Sequence, residues 1–133
     1  MTLVQSEARL WETAKASREN AHAPYSGFKV GCALETADGR IIGGCNVESA
    51  SYGLTVCAER IAIFKAVSEG VKTFQRVCIV ADTERPTTPC GACRQLLWEF
   101  CGDAELLMGN LNGIVLRKRM SELLPLPFDK RAF

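Results

Sequence analysis

Cys57-Ala58-Glu59 and, after 29 intervening residues, Pro89-Cys90-Gly91-Ala92-Cys93 decide how this chain is read. A C-x-x-C alone is shared by redox motifs, structural zinc knobs and chance. With the C-x-E ahead of it, the chain offers Cys57, Cys90 and Cys93 as three soft ligands suited to zinc. Three are too few to close a tetrahedron, so a fourth position stays open for water. Glu59 is then left over to move protons. The spacing also says where these residues sit. On a helix body, residues two apart point about 200° from each other, so Cys57 and Glu59 can approach one ion only from the open N-terminal end of a first turn. Cys90 and Cys93 are three apart and share a face of the first turn of a second helix, with Pro89 at its start, where a missing N–H leaves nothing unpaired. Two helix N-termini then aim at one point, and their positive dipole ends favour thiolates.

Outward from this pair the chain alternates strands with helices. Thr2 with Gln5 forms a capping-box spacing, and Leu3, Val4, Ala8, Leu10, Trp11 and Ala14 give an apolar stripe through about Arg18, the mark of a packing helix. Phe28 to Leu34 alternates in part, Asp38-Gly39 is a hairpin signal, and Arg40 to Cys45 continues apolar, so these segments are expected to pair antiparallel. Cys57 to Glu69 has helical periodicity and stops at Gly70. Val77 to Ala81 reads as a buried strand, Gly91 to Phe100 as a helix, Glu105 to Met108 as a strand, and Ile114 to Leu116 as another after the Asn112-Gly113 turn. This order predicts an α/β fold in which a largely buried sheet carries helices on its faces. No repeat, low-complexity segment or linker divides the 133 residues, so residues 1–133 are expected to form one catalytic domain.

Composition narrows the function. Sixteen Lys plus Arg nearly balance fifteen Asp plus Glu, leaving no broad positive field to hold a nucleic acid polymer and pointing to a small, roughly neutral substrate. Glu7, Arg9 and Glu12 break any apolar signal-peptide core, and no apolar run reaches the length of a membrane span. The expected location is therefore cytoplasmic, with no membrane partner. Seven cysteines is an odd count, and a reducing compartment disfavours disulfides, which leaves metal ligands or buried apolar fillers as their roles. Cys32, Cys45, Cys78 and Cys101 are read as buried fillers. His22, the single histidine, is read as a loop residue, and Arg117-Lys118-Arg119 as the solvated end of an element.

The C-x-E followed by P-C-x-x-C is the described signature of the zinc nucleobase deaminases. Cys57-Ala58-Glu59-Arg60 and Pro89-Cys90-Gly91-Ala92-Cys93-Arg94-Gln95 closely resemble the small zinc-dependent cytidine deaminases of pyrimidine salvage. Pro24-Tyr25-Ser26-Gly27-Phe28-Lys29-Val30-Gly31, Gly44-Cys45-Asn46-Val47-Glu48, Ala50-Ser51-Tyr52 and Ala66-Val67-Ser68-Glu69-Gly70 follow that family's motifs in its order, so the likeness covers roughly residues 20 to 128. Two departures stand out: Ser49 replaces the family's usual Asn, and Pro125-Leu126-Pro127-Phe128 replaces its small residues before the C-terminal Phe.

The resemblance implies a three-layer α/β/α sandwich with a mixed five-stranded sheet, one Zn²⁺ per chain and a homotetramer. It further implies hydrolytic deamination of cytidine and 2′-deoxycytidine at C4, with Glu59 carrying protons from water to N3 and then to the departing amino group. Three thiolates and Zn²⁺ sum to minus one, which makes a bound water less acidic than imidazole ligands would, so a nearby cation is required. Arg60 is the candidate, and its family counterpart hydrogen-bonds the ligand sulfurs; taken alone it would be a surface helix Arg. Asn46 and Glu48 are two apart and share a face in extended chain, and they look like the family pair that holds the ribose hydroxyls. Phe28 resembles the aromatic packed on the pyrimidine, the Ala58 amide the donor to the base carbonyl, and Phe128 the C-terminal aromatic that reaches a neighbouring subunit's site.

Three other functions stand against this one: deamination of N4-substituted or antibiotic cytosine nucleosides, deamination of a polynucleotide, and a non-catalytic zinc module closed by another cysteine. Near-zero net charge disfavours the polynucleotide enzyme. Comparison of rates on plain and substituted nucleosides, and nucleoside-dependent release of ammonia, separate the others.

Overall fold

Thr2 starts the first helix, α1 (Leu3–Arg18), by the expected reciprocal pair: its hydroxyl accepts from Gln5 N at 3.1 Å, and Gln5 Oε1 accepts from Thr2 N at 2.8 Å. The computed structural model describes residues 2–133. The apolar stripe of α1 splits in two. Leu10 and Ala14 lie on one line and are fully buried; Val4, Ala8 and Trp11 lie about 100° further round, where Val4 and Ala8 face solvent and Trp11 is half-buried. The side chain of Leu3 lies outside the described set.

Five strands form one sheet in the order β2-β1-β3-β4-β5: β1 (Val30–Thr36), β2 (Ile41–Cys45), β3 (Phe74–Ala81), β4 (Glu105–Asn110) and β5 (Gly113–Arg119). All neighbours pair antiparallel except β3 with β4, so the sheet is mixed. Successive strand residues face opposite sides. Cys32, Leu34, Val77, Ile79, Leu106 and Met108 point into a core under α2 (Ala58–Ser68) and α3 (Gly91–Cys101), while Ala33, Cys78, Val80 and Leu107 meet Leu10 and Ala14 of α1 on the other side. That is the three-layer α/β/α sandwich. It explains why β1 is buried at every position and reads poorly as an alternating strand. On the α1 side the contact is so close that a Cβ at Gly31 would run into the Ala14 carbonyl oxygen.

Several boundaries differ from those read off the sequence. β1 begins at Val30, two residues after Phe28, because the Asn46 side chain takes up the hydrogen bonds at its start. β5 runs through the basic stretch to Arg119: as an edge strand it alternates toward solvent, where Arg117 pairs with Glu7 and Arg119 with Asp103. Cys45, at the end of edge strand β2, is half-buried rather than buried, whereas Cys32, Cys78 and Cys101 are buried. A short helix, α4 (Met120–Leu123), follows β5, with Met120 in the core. Among the described residues no helix is long and apolar enough to cross a membrane.

Candidate active site

Both motif segments start helices. Cys57 is the N-cap of α2 and Cys90 the N-cap of α3, each with extended backbone. Pro89 is not the first helical residue: the helix begins two positions later at Gly91, so Pro89 precedes the cap, buried, with its carbonyl accepting from Arg94 Nε at 2.8 Å. Arg94 also donates to Leu123 O at 3.0 Å, so one guanidinium ties the turn before the cap to the end of α4. On the other side, α2 rests on β2 at Gly44, where a Cβ would lie 2.6 Å from Ala62 N and 3.1 Å from Ala58 O.

This geometry brings the Sγ atoms of Cys57, Cys90 and Cys93 within 4.8 Å of one another, and they are the cluster among the described residues able to hold a metal ion. Tetrahedral zinc with Zn–S of about 2.3 Å requires sulfurs about 3.8 Å apart, so the donor set fits by number, softness and spacing. Their proton affinities say the same. Cys57 is held down to about 5, first by the hydrogen bond from the Cys93 thiol and then by Arg60, against the opposing effect of burial. Cys93 is pushed up by donating that bond and by burial. Adjacent sulfurs cannot all ionise unless a cation sits among them, a place that a zinc ion held by the three would fill.

Arg60 Nη2 donates to Cys57 Sγ at 3.8 Å and to Thr55 O at 3.2 Å, and its Nε is buried without a partner. A fixed positive group therefore stands beside the sulfurs, as the charge count requires. Glu59 is buried, and burial first, then the nearby Cys57, raises its carboxyl above the ordinary value. The Cys57 side chain makes no capping hydrogen bond to the first turn of α2, the turn that begins with Ala58 N–H. His22 lies away from the metal cluster, bonded through its backbone to Asn46 and Glu48.

Of the other expected contacts, Glu48 lines a cavity, and Asn46 and Phe28 are tied to each other beside it. Val47 is exposed between buried Asn46 and half-buried Glu48, so the two polar side chains share the opposite side. Asn46 spends its amide internally: Oδ1 accepts from Val30 N at 2.9 Å and Nδ2 donates to Phe28 O at 2.8 Å. Glu48 Oε1 accepts from Tyr25 N and Ser26 N at 3.0 and 3.1 Å, and its Oε2 accepts from the Ser26 hydroxyl. A cavity of about 350 Å³ is lined by Tyr25, Ser26, Glu48, Tyr52 and Thr55, with Tyr25 and Tyr52 edge to face at 6.1 Å. No role was read for Tyr25, Ser26, Tyr52 or Thr55 from the sequence; Tyr25, Ser26 and Tyr52 stand in family-like motifs, whereas Thr55 stands in none. Phe28 is 44% exposed. Phe128 lies on a tail that folds back on α3, where Gln95 donates to Phe128 O and Trp98 Nε1 donates to Asp129 at 3.0 Å, and its ring meets Phe133 edge to face.

A mixed α/β/α sheet with three sulfurs and a buried carboxyl at two helix starts defines a zinc-binding enzyme site. Residues 4–109 match the family model described as the cytidine and deoxycytidylate deaminase zinc-binding region. The chain is 49% identical over 123 residues to a cytidine deaminase of Sporosarcina psychrophila, covering 92% of this chain and 90% of that protein. It is 52% identical over 117 residues to one of Halalkalibacterium halodurans, covering 87% and 89%. A crystal structure of cytidine deaminase from Burkholderia pseudomallei matches with a TM-score of 0.89 at 46% identity, over 96% of this chain and 100% of that one. The chain belongs to the cytidine and deoxycytidylate deaminase zinc-binding family.

Proposed function

We infer that this protein hydrolyses cytidine and 2′-deoxycytidine to the corresponding uridines and ammonia. The observation that carries the reading is the buried Glu59, two residues past the Cys57 cap, in a chain whose three sulfurs fit zinc. Zinc held by Cys57, Cys90 and Cys93 supplies, when bound, a water acidified far below the ~15.7 of bulk water. Glu59 accepts the proton of the attacking water and passes it to N3 of the ring as oxygen adds at C4. A second transfer through the same carboxyl protonates the amino nitrogen, the C4–N bond breaks, and ammonia leaves. Burial raises this carboxyl above its ordinary value, the direction that suits a group asked to give back a proton as well as take one. Arg60 offsets the excess negative charge of the sulfurs, and the Ala58 N–H at the start of α2 donates to the base carbonyl. Phe28 packs on the ring, and Glu48 with Asn46 faces the sugar.

The chain acts as one catalytic unit over residues 1–133. The large apolar side chains exposed at Tyr52, Leu54, Leu126, Phe128 and Phe133 support assembly into a homo-oligomer, a tetramer as in the family resemblance, with Phe128 near a subunit contact. Seven unpaired cysteines suit a cytoplasmic enzyme of pyrimidine salvage. The test is incubation of purified, zinc-assayed protein with cytidine, following the absorbance change of uridine formation and the ammonia released. No change with cytidine, beside turnover of N4-substituted cytosine nucleosides, would overturn the assignment of substrate.

A further inference from the structure

We propose that Ser26 is a positioning residue that couples recognition of the sugar to recognition of the base, an inference that rests on the nucleoside reading of the site. A serine hydroxyl has one donor and two acceptor sites. In Ser26 the donor goes to Glu48 Oε2, 22 residues away, and an acceptor site takes the Phe28 N–H at 3.0 Å. One oxygen therefore joins the carboxylate that faces the sugar to the backbone of the aromatic that packs on the ring.

The carboxylate end of this link is nearly saturated. An ionised carboxylate has about four acceptor positions. Tyr25 N, Ser26 N and the Ser26 hydroxyl occupy three of them. One position on Oε2 is left for a sugar hydroxyl, and Ser26 decides which one. These bonds also hold Glu48 ionised below the usual carboxylate range. At the other end, Gly27 adopts φ +70°, and its N–H bonds to Ala23 O at 2.9 Å, so residues 23–27 make a tight turn that delivers Phe28 directly after the serine. Asn46 holds the far side of the same residue through Phe28 O at 2.8 Å. A serine turn of this local kind forms without any distant partner. The bond to Glu48 is the part that a purely local role does not require, and the cavity lined by Tyr25, Ser26 and Glu48 is where the consequence is felt.

The test measures dissociation constants of uridine and of uracil for zinc-loaded protein, beside kcat and KM for cytidine. Ser26 is exposed and packs in no core, so S26A is expected to fold, and its melt is recorded beside that of the wild type. S26A should weaken uridine by about tenfold or more, the usual scale for a bond to a charged group. It should raise KM for cytidine far more than it lowers kcat, and S26T, which keeps the hydroxyl, should restore most of the loss. The coupling itself is read from a double-mutant cycle of F28L and E48Q on uridine binding. In the Ser26 protein the double variant should lose at least threefold less than the product of the single losses. In the S26A background the losses should multiply. Multiplicative losses in the Ser26 protein, or unchanged uridine binding in S26A, overturn the proposal while leaving the function intact. A wild-type protein that neither turns over cytidine nor binds uridine overturns the functional reading and this inference with it.

Discussion

Gly44 sets how closely the helix that carries Cys57 and Glu59 lies on the sheet, and G44A tests that claim. A Cβ there would stand 2.6 Å from Ala62 N, 3.0 Å from Ala62 Cα and 3.1 Å from Ala58 O, all backbone atoms that no rotamer change can clear. To reach an ordinary contact of about 3.4 Å, α2 must retreat by roughly 0.8 Å, and overpacking of this kind costs about 1–3 kcal/mol. For a chain of this size that is a fall in Tm of about 4–11 °C. The sharper consequence lies at the metal. Cys90 caps α3 and Cys93 lies in its first turn, and α3 is held by β3 and α4 as well as by α2, so a retreat of α2 that those contacts resist moves Cys57 relative to its two partners. Metal–ligand distances tolerate about 0.2 Å. Zinc affinity should fall by about 10–100-fold, as it does when the support of a ligand is lost. G31A is the matched control, because its Cβ strikes the Ala14 carbonyl of α1 on the opposite face of the sheet. Thermal melts and zinc competition against a chromophoric chelator should show lower Tm in both variants and weaker zinc in G44A alone. A G44A protein with lowered Tm and unchanged zinc affinity would refute the link between that glycine and the site.

Removing a sulfur should be more drastic: C90A is expected to lose stoichiometric zinc and turnover together, and retention of one zinc per chain in that variant would remove Cys90 from the ligand set. E59Q should keep fold and zinc while losing turnover by at least about 10²–10⁴-fold, since proton transfer alone is worth that much; near-normal kcat would place the proton carrier elsewhere. Away from the site, buried Glu35 accepts from Arg76 Nε at 2.7 Å and Nη2 at 2.8 Å, and R76A, which strands that carboxylate, should cost about 3–5 kcal/mol at pH 7 by urea denaturation. The Arg76 hydrogen bond lowers the Glu35 pKa, so its stabilisation is complete above the unfolded value of about 4.3 and is lost as pH falls through the lower folded value; wild-type urea midpoints should decline over that acid range, and R76A should not show this part of the decline.

The residues that punctuate the chain were the readable ones. Thr2 and Gln5 placed the start of α1, Gly70 with φ +86° ends α2 where expected, and Cys57 and Cys90 stand at helix starts because C-x-E and C-x-x-C can meet a metal only from there. Register was less readable wherever tertiary hydrogen bonds decide it. Phe28 looks like the first residue of a strand, yet Asn46, 18 residues away, captures its carbonyl and delays the strand to Val30. Asn46 and Glu48 were correctly expected to share one side, but their partners within the chain could not be read, because apart from the Ser26 hydroxyl those partners are backbone groups of residues 25–30 and carry no side-chain signature. Likewise α4 is four residues long, too short for periodicity to show, and its end is held by Arg94 from another helix.

The convergence of the two motifs follows from topology. β1 is antiparallel to both β2 and β3, so β2 and β3 run the same way, and β4 is parallel to β3. The chain thus makes two parallel crossovers, β2 to β3 through α2 and β3 to β4 through α3, both stepping in the same direction across the sheet. Parallel crossovers are almost always right-handed, and two of one hand stepping the same way must lay their helices on the same face. Ala58, Ala62 and Ile63 of α2 and Leu97 and Cys101 of α3 do share one core there, while α1 takes the other face. Each of the two helices starts beyond the C-terminal end of the strand that feeds it, and those ends lie on one border of the sheet, where ligands of parallel α/β sheets gather. Cys57 and Cys90 are the caps of those two helices, so the metal cluster requires only that each motif occupy the first turn after its strand. A crossover reversed in hand would leave the same motifs intact and put the sheet between them.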